Sequence, residues 1–386
     1  MAGTALKSQT AVAAPSDDLG LPPDAARTLE DLHRAAQREN TVQAYASGLR
    51  YWIAWHQARF GSLLPIAREV DRAAVPIATV RTFIADHSIP KDSTHLAMPE
   101  EVHAALVRAL RKPQRGHAAQ SRTPVKWNTV RLRIEALAYA HRVYDLPLDV
   151  RHGRIKQDLK ALRESLAKAS LVAPERATPI RRRELSALLG ACDLTTPAGL
   201  RDRAMFLFGW ARRPSETVGA QLADLTLHGP GQWCYTLRRA KNLEAGQQRY
   251  LFHTGTAFEA IEDWLACRAS LPGASDNAFL FSTLVRPTAK DPRWRLGEGG
   301  VSYRAYAANL KRYAAAAGVV ATRGRRITLQ GLRRGFVSES DGRLTLPQTR
   351  AITLHESTRM IVEVYTEQEG MSNPGAALYD LEGGSR

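Results

Sequence analysis

Between residues 41 and 60 apolar side chains return every three or four positions: Val42, Tyr45, Leu49, Trp52 and Ile53. That period puts them on one face of a helix, with Asn40 or Thr41 placed to cap its start. The pattern recurs after Pro76 with Ile77, Val80, Phe83 and Ile84, and over 97–112 with Val102, Leu106 and Leu110 inward. A further helix is predicted from Val125 to Tyr144, with Val130, Ile134, Leu137 and His141 on one side. Another is predicted from Ile155 to Ser170, carrying Lys156, Lys160, Arg163 and Lys168 on its polar side. Between these, Pro113 to Pro124 (PQRGHAAQSRTP) reads as a basic, flexible loop.

The period fails over Leu171–Pro179 (LVAPERATP), where two prolines break any helix. Beyond it, helices are predicted near Arg182–Cys192, Ala198–Ala211, Thr256–Leu271 and Val301–Gly318. Trp233–Leu237 and Arg249–His253 alternate instead, and they flank a turn containing Gly246, which is the signature of a hairpin. The expected fold class is mainly α: a helical N-terminal domain, then an α-rich domain with a small antiparallel β-sheet. The expected division is a flexible tail over 1–23 and a helical domain over 24–172. A linker over 173–179, a second domain over 180–371, and a C-terminal helix or tail over 372–386 opening at Asn373-Pro374 complete it.

The chain has 386 residues, enough for two ordinary cores. Lys plus Arg exceed Asp plus Glu by 54 − 38 = 16. With a sequence pI near 10.1, and with basic residues on predicted helix faces, double-stranded DNA is the expected partner ahead of a membrane surface. The three cysteines, Cys192, Cys234 and Cys267, are widely spaced and fit neither a zinc site nor a disulfide framework. No apolar run approaches the roughly 20 residues that span a bilayer, and the N-terminus lacks the pattern of a signal peptide. A cytoplasmic protein is expected, associated with the nucleoid of a bacterium, with no membrane partner.

Three clusters could carry chemistry. Ala211-Arg212-Arg213-Pro214-Ser215-Glu216 sets Glu216 one helical turn after Arg213. A guanidinium presents a planar donor fork that fits two phosphate oxygens, and a carboxylate at that spacing can hold the fork still. Alone, the segment reads first as a helix start with a surface ion pair. The hairpin tip, Arg238-Arg239-Ala240-Lys241-Asn242, alone reads as a solvated basic turn. The third cluster runs from Ile327 to Thr366: Arg333 and Arg334 on an apolar frame, then His355, then Tyr365. A phenol is a poor nucleophile at neutral pH, with a pKa near ~10, unless fixed cations stabilise its phenolate and the charged transition state.

In this order the three clusters resemble the tyrosine recombinases, also called phage integrases, of the Cre-like kind. The family has an H-x-L-R motif, then a Gly-His or Gly-Trp position, then the nucleophilic tyrosine. Here stand Gln330-Gly331-Leu332-Arg333, Leu354-His355 and Tyr365, and the interval from arginine to tyrosine is 365 − 333 = 32 residues, the family's spacing. The resemblance covers residues 178–371 well and 24–170 loosely. It implies that Tyr365 attacks a DNA phosphate, leaving a 3′-phosphotyrosine and a free 5′-hydroxyl. Arg213 and Arg333 would clamp the phosphate, Glu216 would support Arg213, and Lys241 would protonate the leaving oxygen. His355 would donate a hydrogen bond to a non-bridging oxygen. Arg212, Arg238, Arg239 and Arg334, with Lys126, Arg131 and Arg133 of the first domain, would contact DNA. No metal and no cofactor are implied, and the working state would be a homo-oligomer, a dimer per site and a tetramer on two sites.

Two departures stand out. Gln330 occupies the place of the motif's histidine, and an amide cannot exchange a proton. His355 lies 365 − 355 = 10 residues before Tyr365, one more than the family habit. The first reading is a site-specific DNA recombinase. The alternatives are a catalytically weakened DNA-binding protein on the same fold, or a type IB topoisomerase-like enzyme that nicks and reseals. Tyr379 is a distant second candidate for the nucleophile.

Overall fold

In the computed structural model the described residues are 39–91, 93–110, 124–148, 150, 152–172, 176–238, 247–289, 291–322 and 324–364. The chain divides into two compact units, Met1–Pro174 and Glu175–Arg386. No helix of the described residues is long and apolar enough to cross a membrane.

The first unit holds five described α-helices: α1 (Glu39–Phe60), α2 (Ile77–Asp86), α3 (Glu100–Leu110), α4 (Trp127–Val143) and α5 (Gly153–Lys168). Helical periodicity located all five. Most inward positions are the ones the pattern marks, with Trp52, Phe83, Val130, Ile134 and Leu137 in one core that Leu162 joins. Val42, Ile77 and Leu110, also marked inward, are exposed because they stand at helix ends. Trp52 stacks on Phe83 at 3.8 Å between ring centroids, and Trp55 meets both rings edge-on. Helices α1 and α4 approach closely at Gly48, where a Cβ would crowd that of Ala136 at 2.7 Å.

Several polar groups in this core have partners. Trp55 donates its indole N–H to Asp86 at 3.0 Å. His87 gives its Nδ1 proton to the Phe83 carbonyl at 2.6 Å, so its Nε2 accepts from the Tyr51 hydroxyl at 2.7 Å. Burial keeps that imidazole neutral, its pKa pushed down to about 3. Arg133, expected at the DNA, lies instead over the Tyr51 ring at 3.2 Å, half-buried. There it closes the core as a cation over an aromatic face. Arg131 is exposed, and Lys126, the residue before α4, is half-buried. The loop predicted over Pro113–Pro124 lies, up to residue 123, outside the described residues, as does the tail over 1–23.

The second unit opens on an extended segment. Residues 177–180, which the sequence assigns to the linker and its exit, are built into this unit. Ala177 bridges Arg326 in parallel, and the Ile180 N–H donates to the Gly331 carbonyl at 2.9 Å. Helices α6 (Arg182–Gly190), α7 (Pro197–Gly209) and the short α8 (Pro214–Val218) follow. A three-stranded antiparallel sheet, β1 (Leu225–Gly229), β2 (Gln232–Leu237) and β3 (Arg249–Thr254), has strand order β1-β2-β3. The expected hairpin is β2 with β3, in the register Tyr235↔Leu251. Strand β1 and the separate pair β4 (Ser282–Val285) and β5 (Arg295–Gly300) were not foreseen. Strands β1 and β4 are short, and β5 is half glycine, so no sustained alternation marks them.

Three further helices, α9 (Thr256–Ser270), α10 (Tyr303–Ala316) and α11 (Gln330–Ser340), surround a core of Phe206, Phe208, Trp264, Phe281, Tyr306 and Leu332. Helix α12 (Leu346–Thr353) comes last, before helical residues 359–364. Two glycines one turn apart fix α11. A Cβ on Gly331 would strike the Thr178 carbonyl, and one on Gly335 would strike that of Ile180. Helix and extended segment thus touch backbone to backbone, and the arginine between those glycines is set in depth.

A methyl group at Gly335 has nowhere to go except by moving α11. Gly335→Ala is expected to destabilise the second unit by about 3 kcal/mol, the upper range for overpacking. The melting midpoint should then fall by roughly 6–12 °C. An unchanged midpoint in thermal unfolding would show that the close approach is not a constraint.

Candidate active site

Three segments meet on the second unit: the turn between α7 and α8, helix α11, and the end of α12. Each donates an arginine or accepts one. Arg213 is the residue before α8, and the Pro214 that follows starts that helix with no N–H to leave unsatisfied. Glu216 accepts from the Arg213 backbone N–H at 3.0 Å and from its guanidinium at 2.8 Å. The carboxylate is buried, so the spacing seen in the sequence forms a fixed pair and not a surface one.

The other end of the Arg213 fork donates to the Leu354 carbonyl at 2.9 Å. Arg333, on α11 and 6% exposed, donates to the Ala211 carbonyl at 3.2 Å. Arg212, expected at the DNA, is buried and donates to the Ile352 carbonyl at 2.6 Å. The reason for that correction is geometric: its side chain turns into the protein and ties the α7–α8 turn to α12.

The two clasping carbonyls belong to residues in unusual backbone conformations. Ala211 has φ 90° and Leu354 has φ 54°, ψ 44°. For residues with a Cβ this left-handed region costs about 1–2 kcal/mol. Leu354 stands at the family's glycine position, and its backbone is the one glycine adopts freely. Strain of this kind persists where surrounding contacts over-determine it; here each strained carbonyl holds an arginine.

The electrostatics are lopsided. Among the described residues of this cluster, three guanidiniums face one carboxylate. Burial, and then repulsion from Arg213, push Arg333 down to about 9 against help from Glu216. Burial likewise pushes Arg212 down to about 10. Both Arg212 and Arg333 stay charged at neutral pH. Beneath them His253 stacks on Phe208, its pKa pushed down to about 3 by burial and by Arg212.

His355 follows Leu354 and is half-buried. Burial first, then the charges of Arg333 and Arg213, push its pKa down to about 4. Its Nδ1 lies 2.6 Å from the Thr353 hydroxyl, which lies 2.6 Å from the Thr349 carbonyl. Arg350 of α12 donates to the carbonyls of His355 and Glu356, fixing the turn. A neutral imidazole carries one ring proton, and the Thr353 hydroxyl meets this ring at Nδ1.

Gln330 is the exposed first residue of α11. Arg334 is half-buried on the same helix. Arg238 follows β2, exposed, and is ion-paired with Asp224 at 2.6 Å. Lys241, Arg239, Tyr365 and Tyr379, with the tail over 372–386, lie outside the described residues. Sequence reasoning missed Ala211, Thr353, Gly331 and Gly335. Only the glycines left a readable trace, a G-x-x-x-G spacing around the arginine pair.

Comparison with known proteins bears on the fold. No family model matches the chain, and no curated protein matches it in sequence. Among solved structures it is similar to the XerH site-specific recombinase bound to a palindromic difH substrate in a post-cleavage complex. The identity is 14% and the TM-score 0.51, with 88% of this chain and 79% of that chain covered. It also matches the Tn1549 transposon integrase in complex with transposon right end DNA at 14% identity and TM-score 0.47, covering 91% and 98%. A third match is a lambda integrase dimer bound to a core site, at 13% identity and TM-score 0.45, covering 88% and 75%. The chain has the fold of the tyrosine recombinases.

At position 354 the ordinary ranking of Ala above Gly should reverse. Leu354→Gly and Leu354→Ala lose the same packing, but only glycine accepts the left-handed backbone without strain. The glycine variant is expected to be the more stable by about 0.5–1 kcal/mol. Thermal melts of the two variants side by side check this; alanine equal or better would mean the turn carries no strain.

Proposed function

We propose that the chain is a site-specific DNA recombinase that breaks and rejoins DNA through a 3′-phosphotyrosine. The observation that carries the reading is the convergence of Arg213 and Arg333, from motifs 120 positions apart (333 − 213 = 120), in a pocket of charge with one carboxylate. Such a cluster is short of an anion. A phosphodiester supplies one, with two non-bridging oxygens that suit two guanidinium forks.

In this reading Arg213 and Arg333 hold the scissile phosphate and neutralise the charge that grows on its oxygens as phosphorus becomes five-coordinate. Glu216, Leu354 and Ala211 keep the forks from collapsing onto each other. The phenol oxygen of Tyr365 forms a bond to phosphorus while the bond to the 5′ oxygen breaks, and Lys241 protonates that departing oxygen. The 5′-hydroxyl of a partner strand then attacks the phosphotyrosine and frees Tyr365. The phosphoryl bond is conserved throughout, so no nucleotide triphosphate is consumed. Arg131 of the first unit, exposed, and the overall excess of positive charge support a duplex as the ligand. Double-stranded DNA gripped by both units, and assembly into dimers on single sites and tetramers on site pairs, belong to the same proposal.

Gln330 favours a second reading, a protein of this fold that binds DNA without exchanging strands. The two readings separate on duplexes selected by this chain from a random pool and then nicked near the bound centre. The recombinase reading expects an adduct of protein and labelled strand that survives denaturant, is lost in Tyr365→Phe, and leaves duplex binding by that variant intact. Gln330→His is expected to speed adduct formation by about 10- to 100-fold, part of the range for general acid–base help. Absence of any adduct from the wild-type chain on well-bound duplexes would reject strand exchange. An unchanged rate in Gln330→His would show that proton transfer at that position does not limit cleavage.

A further inference from the structure

If Gln330 cannot take a proton, the attacking hydroxyl needs another acceptor. The hydrogen-bond chain at the end of α12 identifies one. The Thr353 side chain is fully buried. Its hydroxyl carries a single proton and has two neighbours at 2.6 Å, the Thr349 carbonyl oxygen and His355 Nδ1. A carbonyl oxygen only accepts, and two oxygens that close repel unless a proton lies between them. The Thr353 proton is therefore spent on Thr349. What remains on Thr353 is a lone pair, so His355 Nδ1 must be the donor.

We infer that Thr353 is a positioning residue: it holds His355 as the Nδ1–H tautomer, leaving Nε2 as the proton acceptor for the attacking hydroxyl. This rests on the reading given under Proposed function. As the phenol oxygen of Tyr365 bonds to phosphorus, its proton passes to His355 Nε2. The electron pair of the breaking bond leaves on the 5′ oxygen, which takes its proton from Lys241. In the reverse step His355 returns the proton to the phenol. Charge and atoms balance, and no outside reagent is needed.

The surroundings suit a base that acts only with DNA in place. The charged groups bearing on the imidazole are Arg333 from α11 and Arg213 at the head of α8. Arg350 from α12 is engaged with main-chain carbonyls, those of His355 and Glu356. Burial first, and then the two clamp arginines, hold the free imidazole neutral, which keeps the Nε2 lone pair open at neutral pH. A phosphodiester bound between them cancels part of that field and makes the same nitrogen more basic. The acceptor then gains strength at the moment its substrate arrives. A group bonded to the far nitrogen of a histidine sets its tautomer in other sites too.

Nitrogen-15 NMR of the full chain labelled at histidine tests the tautomer directly, with His355→Gln identifying the resonance. At pH 7 the expected result is a protonated Nδ1 and a bare Nε2 on residue 355, with Thr353→Val shifting the balance toward Nε2–H. A wild-type spectrum showing Nε2–H overturns the inference, whether or not the chain cleaves DNA. On the nicked duplexes, Thr353→Val is expected to slow adduct formation by about 10- to 100-fold with duplex binding within about threefold. Thr353→Ser should stay within about threefold of wild type, which separates loss of the hydroxyl from loss of fold. Thr353→Val cleaving at the wild-type rate overturns the positioning role. A wild-type chain with the expected tautomer and no adduct instead rejects the acceptor role together with the recombinase reading.

Discussion

Main-chain carbonyls hold the arginines of this site, and the rest of the second unit is arranged to present them. Arg333 is held by Ala211, Arg213 by Leu354 and Arg212 by Ile352. A carbonyl dipole can fix a guanidinium without cancelling its charge, whereas a carboxylate would do both. Among the described residues of the cluster only Arg213 is ion-paired, with Glu216, and that acid also caps the helix start. The result is a rigid cluster that keeps its positive charge in a partly desolvated place, where a charge interacts more strongly than in water.

That arrangement explains features that otherwise look like defects. Two residues with side chains sit in left-handed backbone conformations, Ala211 and Leu354, and each turns its carbonyl toward an arginine of the other motif. Helix α11 gives up side chains at Gly331 and Gly335 to lie directly on residues 178–180. Trp210 seals the same junction, donating to the Ile180 carbonyl at 3.0 Å and meeting Phe336 edge-on. Strain, missing side chains and buried charge are concentrated in one place, as expected where a fold trades stability for a prepared site.

Much of this was legible in the sequence, and what was not has identifiable causes. The helices were readable because Val42 to Ile53, Val130 to His141 and their counterparts repeat with the helical period over several turns. Strand β5, RLGEGG, offers no alternation, and its place depends on pairing with a strand ten residues earlier. Arg213, Glu216 and Arg333 could be named because motif and spacing coincide. Arg212 and Arg133 could not be separated from surface arginines, because burial depends on which way a turn faces. The role of Thr353 was invisible for a simpler reason. A hydroxyl two residues from a histidine means nothing until the Thr349 carbonyl is seen to take its proton.

The central claim is that Arg213 and Arg333 act on one and the same phosphate. A double-mutant comparison of adduct formation tests it most directly, using Arg213→Ala, Arg333→Ala and the pair together on one nicked duplex. Each single change should slow cleavage by about 100- to 1,000-fold. The pair should lose little beyond the worse single variant, as groups acting as a unit do. Losses that multiply fully, or singles that cleave at the wild-type rate, would contradict the account.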